Sequence, residues 1–124
     1  MDDKLIDYSF LDELSGGEPQ YKYDVIGIFL DTMNDGISNL EGLVVGDDFE
    51  AIEKQSHALK SSAGIVKVRG MYDHLLRMEE LGRKGENKEE IQQRFAEVHN
   101  TYKEAKPILE ADREKYRQQL EKNE

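Results

Sequence analysis

The chain has 124 residues, long enough to bury a core as one domain over 1–124, and no Cys, which excludes disulfides and thiolate metal sites. Its 27 acidic and 17 basic residues give a formal charge of −10, which repels a phosphate backbone and argues against nucleic-acid binding. No apolar run approaches the ~20 residues that span a bilayer, and the first ten residues have no signal-peptide pattern, so the expectation is a cytoplasmic protein without a membrane role.

Leu5 to Leu14 is a short apolar-rich segment with Phe10, Leu11 and Leu14 at helical spacing. These three are expected to cover one end of the fold, in preference to offering an apolar docking patch for a partner. Ser15-Gly16-Gly17 ends the segment, because Gly accepts the left-handed C-cap conformation. Pro19 then suits a first helical turn. From about Gln20 to Val44, apolar residues recur at Val25, Ile28, Phe29, Thr32, Met33, Ile37, Leu40 and Val44, the three- and four-residue steps of one buried helical face.

Asp47-Asp48-Phe49-Glu50 reads as a capping-box start with Asp47 at the N-cap. The helix it opens is expected to reach Val66, with Phe49, Ile52, Ser56, Leu59, Ala63 and Val66 inward. After a weak break near Val68-Arg69-Gly70, Met71 to Arg83 repeats the pattern through Met71, His74, Leu75, Met78 and Leu81, and Gly85 stops it. Asn87-Lys88-Glu89-Glu90 is a second capping-box-like start. The last segment carries Ile91, Phe95, Val98, Tyr102, Ala105, Leu109, Tyr116 and Leu120. Pro107 is expected to kink or interrupt it, since proline lacks an N–H and clashes with the preceding turn.

No segment alternates convincingly at the period of a strand, and no repeat or low-complexity run is present. Four long amphipathic segments joined by short connections predict an all-α, up-and-down antiparallel four-helix bundle. A short additional N-terminal helix precedes it. Its long, Pro-interrupted C-terminal helix is expected to overhang. Closure within one chain makes a monomer the expectation.

The free face of the third long segment carries the chemistry. His57, Lys60, Ser61 and Gly64 stand at i, i+3, i+4 and i+7 and form one stripe away from the centre of the buried face. A neutral imidazole has a ring nitrogen able to act as a nucleophile. Lys60, one turn on, suits the oxygens of a phosphoryl group. Ser61 and Gly64 are small and let another protein approach the ring. No Gly-rich phosphate loop or nucleotide pocket is visible. The stripe fits a group that accepts and returns a phosphoryl without binding ATP.

The other histidines read differently. His74 lies on an apolar face and suits a half-buried structural role; His99 sits at a boundary. The residues three before the histidines are Lys54, Met71 and Ala96, none of them a carboxylate, so a di-iron bundle is disfavoured and no metal site is expected. Arg83 and Lys84 are read as charges complementing the end of a helix dipole.

His57-Ala58-Leu59-Lys60-Ser61-Ser62-Ala63 resembles the signature around the phosphorylated histidine of histidine-containing phosphotransfer (HPt) domains, His-x-Leu-Lys-(Gly/Ser)-Ser. Met78-Glu79-Glu80-Leu81-Gly82-Arg83-Lys84-Gly85 is similar to a stretch of the family's next helix. The opening Ile6 to Tyr21 also resembles how many such domains begin. The resemblance implies that His57 is the phosphoacceptor, that Lys60 supports the phosphorylated ring, and that Ser61 lets a partner close in. It implies response-regulator receiver domains and a hybrid sensor histidine kinase as partners. No cofactor is expected on this chain, and Mg²⁺ is expected on the partner receiver. One departure is Lys67-Val68, where the family often has Gly-Ala. The alternative reading is an interaction module of the same fold that binds a receiver or kinase without being phosphorylated.

Overall fold

The computed structural model describes residues 4–122. In chain order they form β1 (Ile6–Asp7), α1 (Ser9–Ser15), α2 (Pro19–Leu43), α3 (Phe49–Ala63), β2 (Lys67–Val68), α4 (Met71–Lys84) and α5 (Lys88–Lys122). Local chemistry sets the ends. Asp48, one residue later than expected, is the N-cap of α3, and its carboxylate accepts the Ala51 N–H at 3.1 Å. At the start of α5 the Asn87 side-chain oxygen accepts the Glu90 N–H at 3.3 Å. Gly16 and Gly85 close α1 and α4 with φ of 59° and 66°.

Packing follows from the apolar stripes. The long helices contact one another in a ring: α2 against α3 and α5, and α4 against the same two. Leu11, Ile26, Met33, Leu40, Ile52, Leu59, Met71, Leu75, Met78, Leu81, Ile91 and Leu109 are fully enclosed between them. The inward residues expected of α3 and α5 are buried or half-buried in this core. No helix among the described residues is long and apolar enough to cross a membrane.

Several expectations need correction. Ile28 is 64% exposed, and Ile26 and Leu30 are buried in its place. The stripe of α2 runs through Ile26, Phe29, Leu30, Met33, Ile37 and Leu40, a phase that the steps from Val25 did not separate from its neighbour. Helix α3 stops at Ala63; the Gly64 N–H makes its last regular bond, to the Lys60 carbonyl at 3.1 Å, and the chain then turns away. Val66 is still buried, but outside the helix. The cause is a strand pair that two residues per strand cannot announce by alternation. Ile6 faces Val68 and Asp7 faces Lys67 in antiparallel register, with the Arg69 N–H donating to the Leu5 carbonyl at 2.8 Å. Lys67-Val68, the departure from the family pattern, is therefore this strand. Val68 packs inward, and the Lys67 ammonium lies 5.5 Å from the centre of the Phe10 ring.

Of the three apolar residues assigned to the end of the fold, only Leu11 is enclosed; Phe10 and Leu14 are 37% and 45% exposed. Helix α5 runs through Pro107 without a break. Pro107 and Lys103, whose carbonyl loses its N–H partner, both lie on the exposed side, where that carbonyl is open to solvent. Ala105 and Leu109 stay buried on the other side. The expected overhang is small. Arg113 donates from Nε to the Tyr23 carbonyl at 3.0 Å, and Lys22 stacks its ammonium 5.3 Å from the Tyr116 ring, so α2 accompanies α5 almost to its end.

Two positions test the packing. A Cβ on Gly82 would stand 2.8 Å from the Glu53 backbone nitrogen and 3.0 Å from the Phe49 carbonyl oxygen, so α4 meets α3 backbone to backbone. Gly82→Ala is expected to cost about 1–3 kcal/mol by forcing the helices apart. Ser56 is fully buried and its hydroxyl has no partner. Ser56→Ala is expected to stabilise by about 1 kcal/mol by removing an unpaired polar group. Urea unfolding followed by circular dichroism reads both. An unchanged midpoint for Gly82→Ala would mean that the close approach constrains nothing.

Candidate functional site

The stripe predicted on α3 is present. His57 sits near the middle of the helix, on its outer side, with 62% of its side chain exposed. The burial of Ser56 and Leu59 on the inner face turns it outward. Lys60, one turn on, is drawn in, with 17% of its side chain exposed. Ser61 is exposed, but its hydroxyl donates back to the His57 carbonyl at 3.2 Å and so is turned along the helix. Gly64 is the C-cap, half-buried, with φ of −79°. The nearest atoms to a Cβ placed there are at 3.5 Å or beyond, so the isolated fold has room for a side chain.

The residue that organises these groups is Glu79 of α4. Its carboxylate is almost wholly enclosed, and both oxygens are engaged. Oε1 meets the Lys60 ammonium at 2.7 Å. Oε2 lies 3.0 Å from His57 Nδ1 and also accepts from the Arg83 guanidinium at 3.2 Å. Arg83 in turn donates from Nε to Glu53 of α3 at 3.1 Å. Arg83, which stands in the last turn of α4 as the dipole reading has it, is thus also tied into this cluster. Lys84, the neighbouring base, is exposed in the last turn of α4, as the dipole reading has it.

This arrangement fixes the state of the ring. An ionised carboxylate can only accept, so Nδ1 must carry the proton that points at Glu79. In the neutral imidazole the lone pair is then on Nε2. His57 thus presents a nucleophilic nitrogen, held in one tautomer by a carboxylate behind it. Lys60 supplies positive charge one turn away.

Glu79 is the functional residue that the sequence reading quoted but gave no role. Its signal was available: it falls four residues after Leu75 and one after Met78, on the inward side of α4, where an acid needs a reason to be. The other histidines stand apart from the site. His74 accepts from Arg94 at 3.2 Å through Nδ1, and His99 stacks on Phe95 with ring centres 5.8 Å apart.

The Lys60 ammonium, and after it the His57 N–H, hold the Glu79 carboxyl below the usual carboxylate range, against a desolvation that pushes it up. A depressed carboxyl stabilises the fold above its unfolded range and loses that contribution as pH falls through its folded value. Glu79→Gln is therefore expected to flatten the fall in stability between about pH 5 and pH 3. Urea midpoints measured across that range would show it, and parallel curves for the two proteins would contradict it.

Neither the comparison with curated proteins nor the comparison with solved structures returned a match. The family profile described as Hpt domain matches residues 24–121, which takes in α3, α4 and the whole His57–Lys60–Glu79 cluster. That match covers most of the chain, and with a lone-pair imidazole displayed on a helical scaffold it shows that this chain belongs to the Hpt domain family.

Proposed function

We propose that His57 accepts a phosphoryl group from the aspartyl phosphate of a receiver domain and passes it to an aspartate of another receiver. Histidine phosphotransfer in phosphorelays is the general role of the family, and the specific route rests on the geometry of the His57 stripe. The observation that carries it is the Nδ1 bond to Glu79, which in the neutral ring leaves the lone pair on Nε2 of a largely exposed side chain.

The Nε2 lone pair attacks phosphorus in line. The N–P bond forms as the P–O bond to the donor aspartate breaks, and the bonding pair leaves with that carboxylate. No proton has to move. Nδ1 keeps its hydrogen, and the positive charge that develops on the ring is met by Glu79 on one side and by the phosphoryl oxygens on the other. Lys60 draws the phosphoryl oxygens while remaining anchored by Glu79. This is positioning and charge neutralisation, as in phosphoryl transfer generally. Return of the group to a second aspartate reverses the same steps. Mg²⁺ is supplied by the receiver, and a hybrid sensor kinase upstream loads the first receiver.

Ser61 and Gly64 act as the contact edge. The fold tolerates a Cβ at Gly64, so smallness there serves approach rather than packing. The ring of contacts among α2, α3, α4 and α5 supports reading the fold as an antiparallel four-helix bundle; that it works as a monomer in the cytoplasm is part of the same proposal.

Incubation with phosphorylated receivers and Mg²⁺ tests the reading. Wild type is expected to gain an acid-labile, base-stable phosphate, His57→Gln to gain none while staying folded, and Lys60→Ala to label about a hundredfold more slowly. Label retained by His57→Gln would refute the assignment. Receiver binding without any label on wild type would leave the non-phosphorylated interaction module.

A further inference from the structure

Glu79 poses an electrostatic problem that the rest of the site has to solve. A carboxylate at 3.0 Å from Nδ1 orients the ring, but it also favours the imidazolium. An imidazolium has a hydrogen on both nitrogens and no lone pair with which to attack phosphorus. The same contact that selects the useful tautomer works toward removing the nucleophile.

The geometry around Glu79 supplies the counterweight. Arg83 donates to Oε2, the same oxygen that His57 uses, so the two share one acceptor and its charge. Lys60 occupies the other oxygen. Arg83 is not free to lean wholly on Glu79, because Glu53 holds its Nε. Glu53 lies on α3 one turn before His57, and its carboxylate is half-buried. The charged groups facing His57 complete the account. On α3 they are Glu53, Lys54 and Lys60, with Lys54 exposed and paired to Glu50. On α4 they are Glu79 and Arg83. On α2, Gly36 packs against Leu59 and Gln55, Asn39 binds Gln55, and the adjacent acid, Asp35, is exposed.

From this sharing of one oxygen we infer that Arg83 and Glu53 are positioning residues that set how strongly Glu79 holds the Nδ1 proton of His57, and so how firmly the lone pair is kept on Nε2. Arg83 withdraws charge from Oε2 and weakens the pull toward imidazolium. Glu53 restrains Arg83 and keeps enough charge on Oε2 to fix the tautomer. The two residues act in opposite directions on the same bond. Neither has to touch a phosphoryl group to do so. The inference deepens the phosphotransfer reading, which gives the lone pair its purpose, but the balance itself exists in the unphosphorylated protein.

The test is nitrogen NMR of ¹⁵N-histidine-labelled full-length protein, without phosphate or partner, read as the fraction of His57 in the imidazolium form across pH. Arg83→Gln is expected to move that profile to higher pH and Glu53→Gln to move it to lower pH. Arg83→Lys, which keeps the charge, is expected to return the profile toward wild type. Circular dichroism confirms that each variant is folded. The acidic limb of phosphoryl uptake from a receiver is expected to shift in the same directions. Profiles that overlay wild type, or that move the same way in both variants, would overturn the inference. Because the nitrogen readout needs no phosphoryl transfer, opposite NMR shifts in a protein that never becomes labelled would uphold the balance while refuting the phosphotransfer reading.

Discussion

The site depends on one backbone contact. Gly82 lets α4 settle against α3 at Glu53, with no side chain between them. One turn earlier on α4 is Glu79, and one turn later on α3 is His57, so the same approach brings that carboxylate to the imidazole and to Lys60. A wider separation would leave Glu79 reaching across a gap that water would fill. The carboxylate would then be hydrated rather than bonded, and the ring would lose its fixed tautomer.

The chemistry assembled there is economical in its parts. A single enclosed carboxylate orients the ring, anchors the lysine and receives the arginine. The His57 and Arg83 contacts each end on an exposed side chain, and only the Lys60–Glu79 pair is largely buried at both ends. Their effect comes from sharing two oxygens, so that a change at any partner is felt by the others. The nucleophile stays on the outside, where a second protein can reach it, while the group that prepares it is protected from solvent. Support and exposure are divided between two helices.

The helical architecture was legible because burial repeats along the sequence. Ile52, Leu59 and Ala63 on α3, and Ile91 through Leu109 on α5, fall where their spacing puts them. Where the chain offered two adjacent phases, as at Ile28 against Ile26 and Leu30, the pattern did not separate them. The β1–β2 pair was illegible for a different reason: its partners lie 60 and 62 positions apart, and two residues carry no periodicity. Pro107 misled because a local rule ignores that its side of α5 faces water. His57 and Lys60 were readable as a stripe together with a family likeness. Glu79, Arg83 and Glu53 were not, because a network across two helices depends on how closely they approach, and Gly82 announces that only once the packing is known.

The pairing of α2 with α5 has a consequence for biogenesis. Tyr102 donates to Asn34 at 2.7 Å across 68 residues and Arg113 reaches Tyr23 across 90, while Tyr8, ahead of α1, donates to Asp112 of α5 at 2.7 Å across 104. By contrast, α3 and α4 are neighbours in the chain. A ribosome adding roughly 5–20 residues per second leaves the stripe of α2 without its α5 partner for a time on the order of seconds. During that interval the hairpin bearing His57 and Glu79 can already close on itself, being local. The helix that opens the bundle must wait for the one that ends it. The emerging polypeptide therefore has its reactive hairpin within reach early and its hydrophobic enclosure late, and α2 is the segment most exposed to chaperones in between.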